Sequence, residues 1–308
     1  MMQCLITIYL ITVLCITCGR IGSTDAAARE VQTLRTKEVE VWFDTPLDIP
    51  AKDVADIFPE VRKELERIFE WEFYHTPKVF LVRQREDFLL MTDNPITVAF
   101  AAPERNLIVI DHSKASTLPF SMENTLKHEL CHILLHQHIA SELLPRWLDE
   151  GLCQWASNSI DEIIHTQKQS ALNGATLSRQ EISLADLRYR FPDDIKPRLL
   201  AYEASKRFTI YLIEKYGKNK IVDILKHLEI RQDIETSTLN VLSKPLNTLE
   251  KQWRHTLRQK AIWLTFTSHY LYEILFAIMA LLSFYGFIKL RIRKNRYRDE
   301  EEEIDRTI

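Results

Sequence analysis

The sequence predicts an α+β fold, and three observations carry that prediction. Segments that alternate like strands end by Asp111, apolar residues at helical spacing take over from Ser121 onward, and only 6 of the 308 residues are glycine. Average usage of about 7% would supply about 20 glycines. The shortage excludes glycine-rich phosphate loops and argues against many-turned sandwiches and propellers, whose tight turns draw on glycine. Hydrophobic content of 46% and charged content of 27% are ordinary for a globular chain. The formal net charge of −3 gives no basic bias toward nucleic acid.

The elements follow in chain order. Residues 3–19 carry no charge and are followed by Gly22-Ser23-Thr24-Asp25-Ala26, the outline of a signal peptide over residues 1–23. No Lys or Arg precedes the apolar run, so an uncleaved N-terminal anchor is the other reading. Thr36–Asp44 alternates like one strand. Ala51–Trp71 carries a helical stripe of Val54, Ile57, Phe58, Val61, Leu65, Ile68 and Phe69, with Pro59 as a point of kinking or splitting. Lys78–Val82, Ile96–Ala101 and Leu107–Asp111 read as strands, the last two as a hairpin. Helices are expected over Ser121–His138 with Ser121 as N-cap, Pro145–Ser157, Ser183–Tyr189, Tyr202–Tyr216 closed by Gly217 as a left-handed cap, Asn219–Leu228 and Leu246–Trp263.

Residues 268–288 hold one charge, Glu273, and suffice to span hydrocarbon. Trp263, Tyr270 and Tyr272 sit at one end like an interfacial belt. Lys289, Arg291, Arg293, Lys294, Arg296 and Arg298 follow at the other end and mark it as cytoplasmic. Residues 289–308 then form a cytoplasmic tail, and residues 24–262 form one outward-facing domain.

That domain contains His128-Glu129-Leu130-Cys131-His132. Spacing of four puts both imidazoles on one helix face, as two zinc ligands require, and Glu129 beside them suits a general base on zinc-bound water. A catalytic zinc needs a third protein ligand. His138 stands where a third histidine would follow a glycine that breaks the helix, but Leu135 occupies that glycine position and no methionine lies between Ile139 and Trp263. His136 and His138 read instead as helix-end cations favoured by the dipole. Glu150, 18 positions after His132 in Trp147-Leu148-Asp149-Glu150-Gly151, sits at the edge of the stripe formed by Leu148, Leu152, Trp155 and Ala156. A carboxylate there needs a partner, and zinc is a natural one.

His-Glu-x-x-His followed by Trp-Leu-Asp-Glu-Gly resembles the gluzincin zinc metallopeptidases of the peptidase MA-like group, over roughly Val39 to Leu228. The resemblance implies a thermolysin-like fold, with a small mixed sheet followed by helices, one Zn2+ and hydrolysis of peptide bonds. It implies His128, His132 and Glu150 as metal ligands and Glu129 as the group that activates water. Tyr202 matches a family tyrosine that steadies the oxyanion, although a packing aromatic is an equal reading. It further implies that Leu107–Asp111 is the edge strand that receives the substrate backbone. Many relatives place an acid one turn after the third ligand to orient a histidine, and here that position is Gln154. Gly151 suggests room beside the metal. Cys131 and Cys153 read either as small buried thiols or as a disulfide between the two ligand helices. The expected protein is a membrane-tethered zinc endopeptidase acting on peptides or proteins; a non-catalytic zinc-binding ectodomain, a sensor or binding module, is the alternative.

Overall fold

The computed structural model describes residues 31–305 apart from 93, 95, 118, 119 and 158–182. The signal-peptide reading of residues 1–23 lies outside the described residues. The chain divides into two compact units, Met1–Arg254 and His255–Ile308.

The first unit begins with an antiparallel pair, β1 (Val31–Arg35) and β2 (Glu40–Asp44). The single strand expected over Thr36–Asp44 is therefore shorter. Thr36 turns the chain instead: its hydroxyl accepts from the backbone N–H of Glu38 and Val39 and its own N–H donates to the Val39 carbonyl. Local bonding of this kind competes with a strand ladder. Helix α1 (Asp48–Phe69) crosses from β2 to the parallel strand β3 (Lys78–Val82). It is continuous through Pro59, which lies on its exposed face, and it buries Val54, Phe58, Val61, Leu65 and Phe69.

A short helix α2 (Arg85–Leu89) leads to β4 (Ala99–Ala102), three residues later than the expected start, and then to β5 (Leu107–Asp111). The sheet order is β1-β2-β3-β5-β4. The edge-strand expectation is thereby corrected. β5 lies between β3, its parallel neighbour, and β4, its antiparallel one, and all five of its residues are buried; the edge beside it is β4. A five-residue apolar run such as Leu-Ile-Val-Ile-Asp suits a strand covered on both faces.

A turn of helix, α3 (His112–Ala115), precedes α4 (Met122–His138), whose N-cap Ser121 accepts from the Asn124 N–H at 3.4 Å. Helix α4 packs against α1, β4 and α5 (Arg146–Ser157). Ser183–Tyr189 forms turns rather than a helix. Helices α6 (Ile195–Tyr216), α7 (Lys218–Glu229), α8 (Ile234–Leu242) and α9 (Leu246–His269) follow. Helix α6 starts well before the expected Tyr202, and α8 had no expected counterpart. Gly217 separates α6 from α7 at φ 88° and ψ 153°, outside the left-handed helical basin in which a cap was expected, yet in a region open to glycine.

In the second unit, α10 (Leu271–Asp305) contains a 24-residue apolar stretch, Leu271–Lys294, long enough to cross a membrane by length and composition and with none of it buried.

Helix α5 lies between α4 and α6, and Gly151 allows that arrangement. A Cβ there would meet the Thr209 hydroxyl and come within 2.5 Å of the Ser205 backbone carbonyl, so Gly151 faces α6 rather than opening space beside a metal. Backbone cannot yield as a flexible side chain can. Gly151→Ala is accordingly expected to lower stability by about 1–3 kcal/mol or more through overpacking. Urea denaturation followed by circular dichroism checks this, and an unchanged midpoint would contradict the close approach.

Candidate metal centre

Helical spacing of four brings His128 and His132 to one face of α4, with their Nε2 atoms 3.2 Å apart. Helix α5 presents Glu150 to both: Oε1 lies 3.3 Å from His128 Nε2, and Oε2 lies 3.9 Å from His132 Nε2. One ligand atom from each of the three falls within 4.8 Å of the others. Glu150 is 4% exposed, a buried carboxylate rather than a surface one.

The surroundings decide which ring nitrogen carries the proton. A buried ionised carboxylate only accepts, so His132 Nδ1 donates to Asp149 Oδ1 at 2.7 Å. The Ser157 hydroxyl donates to the Cys153 carbonyl at 2.7 Å, which leaves it to accept from His128 Nδ1 at 3.4 Å. Both imidazoles therefore turn an Nε2 toward Glu150. Gln154 bonds to the candidate ligand instead: its Nε2 donates to Glu150 Oε1 at 2.9 Å. The acid that orients a histidine here is Asp149, which precedes the candidate ligand instead of following it one turn later.

Asp149 is a hub. Its Oδ2 also accepts from His136 Nε2 at 3.3 Å and from Arg146 Nη1 at 3.1 Å, while Arg146 Nη2 reaches Glu150 Oε2 at 3.4 Å. Burial opposes its charge, but His132, His136 and Arg146 together hold its carboxyl well below the usual range. Burial likewise opposes ionisation of Glu150, and the histidines with Arg146 bring it down to about 2. For His132 burial opposes protonation; the Asp149 charge and hydrogen bond, then Glu150 and Glu129, outweigh it and raise the imidazole to about 9. Glu129 goes the other way: burial raises it, only partly offset by His128 and His132.

This donor set fits zinc. Three buried carboxylates, Glu129, Asp149 and Glu150, surround two imidazoles and face one guanidinium, leaving an excess of negative charge that a divalent cation would balance. Two imidazole nitrogens and one carboxylate are the ligand types of catalytic zinc sites with three protein ligands. A second cluster, His132, Asp149 and Cys153, also lies within 4.8 Å. There the sulfur is not a free ligand, because Cys131 and Cys153 are joined in a disulfide between α4 and α5, with Cα atoms 5.4 Å apart. The free-thiol reading is corrected by that bond.

A cavity of about 480 Å³ opens on this cluster, walled by β4, Glu129, His132, Arg146 and Tyr202, and a smaller one of about 70 Å³ reaches His128, Glu150 and again Tyr202. Tyr202 is thus a cavity residue; burial and then the Glu150 charge push its phenol up, and its ring meets the edge of Phe191 at 5.0 Å. His136 and His138 are held by particular partners rather than by the helix dipole alone. His138 lies in another cluster, stacked on Trp71 at 4.4 Å and bonded to Glu229 at 2.9 Å. Asp149, Arg146 and the β4 edge were missed from the sequence; the signal available was Asp149 itself, an acid on a helix with few exposed positions.

Residues 84–259 match the peptidase MA superfamily, more than half of the chain, and the protein belongs to that superfamily. No curated protein matches it. Among solved structures it is similar to a mutant M1 zinc metallopeptidase from Deinococcus radiodurans, at 15% identity and TM-score 0.46, covering 74% of this chain and 51% of that one. It is also similar to native yeast LTA4 hydrolase, at 13% identity and TM-score 0.43, covering 77% of this chain and 42% of that one. The chain thus spans about half, or less, of the length of these proteins.

The raised His132 has a consequence for the metal-stripped protein. An imidazole whose folded value exceeds its unfolded value of 6.5 stabilises the fold fully below that value, and the stabilisation is lost as pH rises through about 9. Chelator-treated protein is expected to melt at progressively lower temperature across that window, and a His132→Ala background should flatten the fall. Equal melting temperatures on both sides of the window in the unsubstituted protein would refute the assignment.

Proposed function

We propose that the protein is a membrane-tethered zinc endopeptidase in which His128, His132 and Glu150 hold one zinc ion. The observation that carries this reading is the convergence of two Nε2 atoms and the Glu150 carboxylate beside a cavity that also contains Glu129. Zinc in such a set supplies Lewis acidity toward a carbonyl and toward water. Asp149 keeps the proton on His132 Nδ1, so that Nε2 remains available. Glu129 takes the proton of the attacking water on its carboxylate and returns it to the leaving amine; its raised affinity for a proton suits both steps. The Tyr202 hydroxyl donates to the oxyanion as it develops. The β4 edge lines the cavity, and an extended peptide added to that edge as a further strand would pass Glu129.

Residues 268–288 serve as the tether, with residues 289–308 cytoplasmic and the domain of residues 24–262 on the other side. The basic residues after the span support that orientation, and the disulfide suits an oxidising compartment.

Four outcomes are expected. His132→Ala loses the single bound zinc by metal analysis. Glu129→Gln keeps zinc and lowers hydrolysis of a mixed peptide library by about 10²–10⁴-fold, read by mass spectrometry. Tyr202→Phe lowers kcat by about 10²–10³-fold with little change in KM. A Glu129→Gln variant as active as the parent would leave a structural or sensory metal site. The full-length chain should also stay with membranes through an alkaline carbonate wash, and its release would remove the tether from this reading.

A further inference from the structure

The disulfide lies within the centre itself. Cys131 directly precedes His132 and stands one turn after His128; Cys153 stands one turn after Glu150. Residues three apart share a helix face, so the bond joins the faces of α4 and α5 that carry the candidate ligands. Both cysteines are fully buried. Apolar packing between two helices tolerates small sliding, whereas a covalent bond holds the two backbones at one separation.

The second observation concerns Cys153 alone. A ligand atom of Cys153, one of His132 and one of Asp149 lie within 4.8 Å of one another, while Cys131 takes part in no such group among the described residues. Thiolate is a softer and stronger ligand for zinc than carboxylate. As a free thiolate, Cys153 would complete a second ligand set with His132 and Asp149, and a metal held there would draw Asp149 away from its orienting bond. As half of a disulfide it has no thiolate to offer.

We propose that the Cys131–Cys153 disulfide is a positioning device for the zinc site: it fixes the separation of the two ligand helices and removes Cys153 as a rival ligand. The proposal rests on the zinc reading above. It makes the cysteine pair part of the metal centre, and it makes the two cysteines unequal.

The test uses the full-length protein and the variants Cys131→Ala, Cys153→Ala and the double variant. Zinc affinity is measured by chelator competition, and ligand type by absorption of the cobalt-substituted protein. The double variant should bind zinc about 10-fold more weakly or worse, as for other residues that support metal ligands. Cys131→Ala, which frees Cys153, should show thiolate-to-cobalt charge transfer; Cys153→Ala, which frees Cys131, and the wild type should not. A purely structural disulfide would lower the melting temperature of all three variants alike and leave the cobalt spectra identical. Where a variant fails to fold, the folded wild type is reduced with a phosphine, which takes one oxygen from water as phosphine oxide and leaves two thiols, and the same charge-transfer band is sought. Retention of affinity within about twofold in the double variant, or matching spectra for the two single variants or before and after reduction, overturns the proposal while the zinc reading stands. A wild type that binds no zinc overturns both.

Discussion

Three carboxylates, Glu129, Asp149 and Glu150, are buried at the contact of α4 and α5, and the need to compensate their charge governs the surrounding structure. Isolated buried charge is unfavourable by many kcal/mol, and the groups around it divide into those that neutralise and those that merely bond. Arg146 bridges Asp149 and Glu150; His132 donates to Asp149; Gln154 and Ser157 supply hydrogen bonds without charge. In the absence of a metal, the proton raised onto His132 stands in for a cation. A divalent ion among the same atoms would remove the need for that proton.

The rest of the first unit keeps α4 and α5 together. Helix α6 closes over α5 at Gly151, where the chain of Ser205 and Thr209 occupies the space a side chain would need. With so few glycines in the sequence, one of them serves this crossing rather than access to a metal. The disulfide acts on the opposite flank of α5, toward α4. The edge strand β4 and residues of α4 and α5 line one cavity that includes Glu129, so the sheet contributes a cavity wall as well as a core.

The match to the peptidase MA superfamily begins after β3 and takes in the His-Glu-x-x-His helix and the helices α5 to α8. The apolar stretch of α10 belongs to the second unit and has its own logic, that of length and composition. Its apolar side chains, Phe276 and Leu281 among them, are exposed.

What the sequence by itself determined is what lies within a single element. The i, i+4 spacing places two imidazoles on one face, Ser121 caps α4, Pro145 opens α5, and Glu150 sits where a carboxylate would be buried. These follow from helix geometry and local hydrogen bonding, which act over a few residues. Contacts between elements required the tertiary structure. Asp149 and Gln154 are both near Glu150 in sequence, and only the packing of α5 on α4 decided that Asp149 meets His132 while Gln154 turns to Glu150. Only the sheet order made β4 the edge and β5 an interior strand, since both carry apolar residues that suit either place. Gly151 faced α6, and Cys131 found Cys153, for the same reason: the partner is set by how distant segments pack, and no local pattern records it.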